Sequence, residues 1–121
     1  MILLDKQIFK GIFETTKSIL KNNFFYDPES LAAFCDVFTM KMVDEYCLFE
    51  QQADIEFKQK LKYDQYEKRM FTRMFMSFYL YELLVQYLHF SEPELDMFEN
   101  ILPKFAGVNH VKYESDERAS Y

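Results

Sequence analysis

Two histidines, two cysteines and twenty carboxylates are the residues of this 121-residue chain best suited to chemistry. Nucleophilic catalysis would pair a thiolate with a histidine, and Cys35 or Cys47 with His89 is the pairing on offer. Both cysteines fall in mid-helix stretches, not at a helix N-terminus where a thiol is acidified. They therefore read as buried, reduced, small apolar side chains. If one helix carries both, twelve residues separate them by about 18 Å, too far for a disulfide. A di-iron carboxylate site needs Glu-x-x-His pairs on facing helices, and the sequence has none. His-x-x-x-His and Cys-x-x-Cys are also missing, and His89 and His110 are far apart. Neither glycine has the neighbours of a phosphate loop. His89 reads as a helix-end residue whose cation would suit the C-terminal dipole. No metal, no cofactor and no enzymatic activity are expected.

The carboxylates form rows. Asp44, Glu45 and Glu50 make one, and Glu92, Glu94, Asp96 and Glu99 make another. Their helical spacing fits solvated faces, or an acidic surface that binds a partner. The bases are segregated from them. Residues 57–73 hold six bases and two acids, and no base lies between Arg73 and Lys104. Lys58, Lys60, Lys62, Lys68, Arg69 and Arg73 interleave with Phe57, Tyr63 and Tyr66, as single-strand binding would require. The net charge of -6 and the pI near 4.9 argue the other way. An acidic surface repels nucleic acid and favours basic partners. The basic segment reads as packed beside the chain's own acidic helices.

Composition bounds the class. Half the residues are hydrophobic and 19% aromatic, with 14 Phe and 9 Tyr, which excludes global disorder. One domain is expected, with a core that needs no staples. The N-terminus lacks the apolar core and cleavage site of a signal peptide. The run Met74–Phe90 contains Glu82, Gln86 and His89 and is too short to span a bilayer. No membrane association is expected, and a cytoplasmic location is. Lysines outnumber arginines eleven to three, a bias that fits AT-rich coding.

The elements that must position these residues are helices. Asp27-Pro28 is a start signal, with Asp27 as N-cap, Pro28 at the first position and Tyr26 stapling to Leu31. Ser91 with Glu94 fits a capping box, with Phe90 and Leu95 as its staple. Asp5 is a third cap, with Leu4 and Phe9. The spacing predicts helices over about 6–21, 28–52, 63–90 and 92–102. The first buries Ile8, Phe9, Ile12, Phe13, Thr16, Ile19 and Leu20. The second buries Leu31, Cys35, Phe38, Met42, Tyr46 and Phe49. The main stripe of the third is Tyr63, Tyr66, Met70, Met74, Phe78, Tyr81, Val85 and Leu88. The fourth turns Leu95, Phe98 and Leu102 inward; Pro103 limits its continuation, and Gly107 reads as a stop after Phe105 and Ala106. The join over 51–62 reads as continued helix with a break near Asp54. The fold expected is all-α: an irregular bundle of about four main helices over 1–111, with a buried aromatic- and Met-rich third helix. Residues 112–121 form a polar, frayed tail.

Function is narrowed mainly by exclusion. Small size, segregated acidic faces, an aromatic excess and no catalytic constellation favour a protein-binding regulator or inhibitor that occludes a partner's surface. Small phage proteins that disarm host defence or transcription look broadly like this, a resemblance of type without a family motif. The expected partner is a protein with a basic surface, met through Asp44, Glu45, Glu50, Glu92, Glu94, Asp96 and Glu99. Phe71, Phe75 and Tyr79, in the dense aromatic cluster, are candidate interface residues. The alternatives are a self-associating assembly protein, as a homodimer seamed along the third helix, and a small-ligand sensor with an apolar pocket.

Overall fold

The computed structural model describes residues 2–106. Five helices follow one another: α1 (Lys6–Asn22), α2 (Pro28–Gln52), α3 (Ile55–Tyr63), α4 (Gln65–Gln86) and α5 (Glu92–Ala106). Among the described residues there is no strand. Short polar side chains open four of the helices. The Asp5 carboxylate accepts from the Ile8 N–H at 2.9 Å, and that of Asp27 from the Ser30 N–H at 2.7 Å. Glu94 accepts from both the N–H and the hydroxyl of Ser91, each at 2.9 Å. These three caps stand where the sequence placed them. The fourth is Asp64, whose carboxylate accepts from the Glu67 N–H at 3.2 Å.

Asp64 corrects the expected third helix. Residues 63–90 are not one element. Ala53 and Asp54 are extended and end α2, so the break near Asp54 is real, and α3 then runs to Tyr63. Asp64 is extended as well (φ -108°, ψ 104°); it closes α3 with its N–H on the Lys60 carbonyl and opens α4 with its side chain. At the other end, α5 runs past Pro103 to Ala106. A proline inside a helix removes one hydrogen bond and strains the turn before it, but it does not end this helix. The tail over 112–121, His110 and Gly107 lie outside the described residues.

Two corners share one construction. After α1, Phe25 takes a left-handed conformation (φ 61°), and the Tyr26 N–H donates to the Leu20 carbonyl at 3.1 Å. After α4, His89 does the same (φ 58°), and the Phe90 N–H donates to the Leu84 carbonyl at 2.9 Å. Each corner leads directly into the cap of the next helix. The corners pack on each other, with the Phe24 and Phe90 rings 4.9 Å apart.

α1 packs on α2, α4 and α5, and α4 packs on α1, α2 and α3. Ile12, Leu20, Phe34, Phe38, Met42, Met76, Leu80, Leu84, Phe98 and Leu102 lie at the centre, fully or almost fully shielded from water. A ring cluster holds the other end. Phe49 of α2 lies 4.7 Å from Phe71 of α4, and Phe57 of α3 lies 5.4 Å from Phe71. Stacked and edge-on pairs at these distances add about 0.5–1.5 kcal/mol beyond their buried area. The short α3, nine residues long, would not be stable alone. The rings, Leu61 and a bond from the Lys58 ammonium to the Glu50 carbonyl (2.8 Å) seat it.

The N-terminal segment is locked in. Leu3 and Leu4 are buried, and the Leu3 N–H donates to the Tyr46 hydroxyl at 3.1 Å. The Asp5 N–H donates to the Thr72 hydroxyl at 2.8 Å, and the Gln65 amide donates to the second Asp5 oxygen at 2.7 Å. Asp5 thus starts α1 and fastens it to α4 at once.

Candidate functional site

The face of α4 chosen by the bundle is the reverse of the expected one. Thr72, Arg73, Phe75, Met76, Leu80, Leu83 and Leu84 point inward. Of the expected stripe, Tyr63 is 77% exposed, Met74 65%, Phe78 64% and Val85 44%. Residues 70, 74, 78, 81 and 85 recur every three or four positions, so Met70, Met74, Phe78, Tyr81 and Val85 share one side. Met70 and Tyr81 are half-buried at its edge. The result is an apolar ridge on the outside of the molecule. Its physical origin is plain. α4 is apolar nearly all round, so two stripes have equally good helical spacing, and only the helices that pack on it decide which is covered. Arg73 was the misleading residue, because it is charged and yet buried. Glu67 and Glu82 border the exposed stripe, and they are the signal that could have marked it as the outer side.

α2 flanks the ridge on one side through a polar cluster. The Tyr79 hydroxyl donates to Glu45 at 2.9 Å, and the Phe78 ring meets Tyr79 edge-on at 5.0 Å. The Lys41 ammonium lies 3.4 Å from Glu45, 3.6 Å from Glu82 and 5.4 Å from the centre of the Tyr79 ring. Burial, then the Glu45 bond and charge, push the Tyr79 phenol up to about 12. α5 flanks the other side. The Tyr81 ring packs edge-on against Phe98 at 6.2 Å. Burial, with the Glu99 charge adding, pushes the Tyr81 phenol up to about 12.

The expected acidic residues fall into two groups. Glu92, Asp96 and Glu99, at i, i+4 and i+7, make an exposed stripe along α5, and among the described residues none of them is ion-paired. Glu94 is half-buried in its capping box, and the Ser91 bonds hold its carboxyl below the usual range. Asp44 is exposed, but Glu45 is occupied by Tyr79 and Lys41, and Glu50 is half-buried where its backbone receives Lys58. The row over 44–50 is therefore not one surface. The aromatic candidates separate in the same way. Phe75 is buried, and Phe71 and Tyr79 are half-buried against the core. Among the described residues the rings that face outward are Phe78, Tyr63, Tyr87 and, at the α1–α2 corner, Phe25.

The two cysteines both lie on α2 and are free thiols. Cys35 is half-buried, and burial raises its pKa; Cys47 is exposed, against the expectation that both are buried. A groove of about 680 Å³ runs between α1 and α2, lined by Lys17, Lys21, Leu31, Cys35 and Asp36 among others. It is open, and its lining mixes charged side chains with apolar ones such as Leu31. Among the described residues no group of three His, Cys, Asp or Glu side chains could hold a metal ion, and no helix is long and apolar enough to cross a membrane. No protein-family model matches the chain, and no curated protein or solved structure matches it either.

Proposed function

We propose that the chain is a small protein-binding regulator that works by covering a surface of a partner rather than by catalysis. The observation that carries this reading is the ridge on α4. Met74, Phe78 and Val85 form a contiguous exposed apolar stripe on a domain that has a full core of its own. Scattered exposed apolar residues are ordinary, but an aligned stripe of Met and Phe flanked by charge marks an interaction site. Met and Phe are enriched at interfaces, and methionine adapts its shape to what it meets. The acidic stripe Glu92, Asp96 and Glu99 would add steering toward a basic partner.

The test compares the wild-type chain with a Met74→Ser/Phe78→Ser variant. Both side chains are more than half exposed, so the variant should keep its helical circular dichroism. Each form is immobilised in nuclease-treated lysate of the source organism at moderate salt. The expected result is a stoichiometric foreign protein held by the wild type and lost by the variant. Recovery of the same proteins by both forms, or of the chain alone, overturns the reading.

A further inference from the structure

We infer that the occupant of the α4 ridge is an amphipathic helix of a partner protein, apolar along one face and basic on both of its flanks. This rests on the protein-binding reading above and adds the chemistry of the partner. The ridge from Met70 to Val85 extends over fifteen residues of helix, about 22 Å. That is the length of about four turns, enough to seat a helix laid alongside. A helix needs apolar groups every three or four residues to match it, and the ridge presents its own at that spacing.

The flanks set the charge. On the α2 side stand Glu45 and Glu82, with Lys41 shared between them at 3.4 and 3.6 Å. One cation between two carboxylates leaves that flank acidic. On the α5 side stands Glu99, beside Phe98, whose ring contacts Tyr81 of the ridge. Asp96 and Glu92 continue that flank as an exposed stripe. The N-terminal end of the ridge closes with Glu67, which Lys60 of α3 pairs at 3.5 Å. Over the rest of the ridge, among the described residues, these carboxylates outnumber Lys41, the one cation paired with them.

The same flanks argue against a second copy of this chain. Two ridges packed face to face with their helices parallel would bring Glu45, Glu82 and Glu99 near their equivalents, and Lys41 is already engaged. Like charges at an interface are repulsive, and lysines or arginines in those positions are not.

The probe is a fluorescein-labelled 18-residue peptide with leucines at i, i+3, i+4 and i+7 spacing and lysines flanking them. Its controls are a scrambled peptide of equal composition and one with glutamates in place of the lysines. Binding is read by fluorescence anisotropy. The basic amphipathic peptide should bind, and its Kd should rise about tenfold between 50 and 300 mM salt, as screening of paired charges requires. Phe78→Ser should weaken it at least tenfold with the net charge unchanged. Glu82→Lys with Glu99→Lys should weaken it about tenfold and flatten the salt dependence, whereas Glu14→Lys on α1 should change it less than twofold. If the scrambled peptide binds as well, or Phe78→Ser has no effect, the attraction is general charge and the inference fails. If the glutamate peptide binds equally through Phe78, the ridge binds helices but the charge assignment is wrong, and the protein-binding reading survives. If sedimentation shows a dimer of the chain that Phe78→Ser dissociates, a second copy occupies the ridge and the inference falls.

Discussion

Replacing Thr72 by valine tests whether the polar tie between the N-terminus and α4 carries stability. The two side chains are nearly the same shape, so the change removes hydrogen bonds and leaves no cavity. The Thr72 hydroxyl is fully buried; it donates to the Lys68 carbonyl at 2.7 Å and accepts from the Asp5 N–H at 2.8 Å. The Lys68 carbonyl keeps its helical bond in the variant, but the Asp5 N–H loses its partner. An orphaned buried donor costs about 1–3 kcal/mol. Burying a methyl in place of the hydroxyl returns about 0.5–1 kcal/mol. The expected net loss is about 1–2 kcal/mol. With a urea m value of about 1.5 kcal/mol/M, the unfolding midpoint should fall by about 1 M. Thr16 supplies the control. It is also buried, and its hydroxyl donates to the Ile12 carbonyl at 2.7 Å within its own helix. Thr16→Val removes the same back-bond but orphans no donor, so it should be neutral or slightly stabilising. The assay is urea unfolding of both variants followed by far-ultraviolet circular dichroism. Midpoints for Thr72→Val and Thr16→Val that agree within error would refute the claim that the Asp5–Thr72 bond fastens α1 to α4.

Phe98 is fully buried and its ring meets those of Phe24, Tyr81 and Phe90, so Phe98→Ala should cost about 3–5 kcal/mol and raise hydrogen exchange first along α5. Tyr79 and Tyr81 should ionise near pH 12 in a spectrophotometric titration, after ordinary tyrosines near 10. A raised folded pKa means that their contribution is fully present below pH 10 and is lost as pH rises from 10 through 12, so thermal stability should fall across that window, and less steeply in the Tyr79→Phe/Tyr81→Phe variant.

Much of the architecture is legible along the chain, because its causes are local. Asp5, Asp27 and Ser91 with Glu94 satisfy backbone donors within three residues of themselves, so their types and spacing are enough to place the starts of α1, α2 and α5. The inward sides of α1 and α2 were legible for a similar reason. Lys6, Lys10, Lys17 and Lys21 on α1, and Asp36 and Asp44 on α2, contrast with the apolar side and show which one is wet. Asp64 was harder to read. It lies in a run with no glycine or proline, and its double role as the end of α3 and the cap of α4 depends on α3 turning back onto Phe49 and Phe71.

Types and spacing alone determined an all-helical chain, its main caps, most of its core and a surplus of acid. The tertiary structure decided which side of α4 faces water. A helix that is apolar around most of its circumference has no preferred inner face until neighbours cover it. Here α1, α2 and α3 cover Phe75, Met76, Leu80 and Leu84 and leave Met74, Phe78 and Val85 outside. It also split the acidic set, since a carboxylate becomes part of a binding surface only when no buried phenol or nearby ammonium has claimed it. Glu45 was claimed by Tyr79 and Lys41, while Glu92, Asp96 and Glu99 stand exposed along α5. The Tyr79–Glu45 bond joins residues 34 positions apart, and no local pattern encodes it.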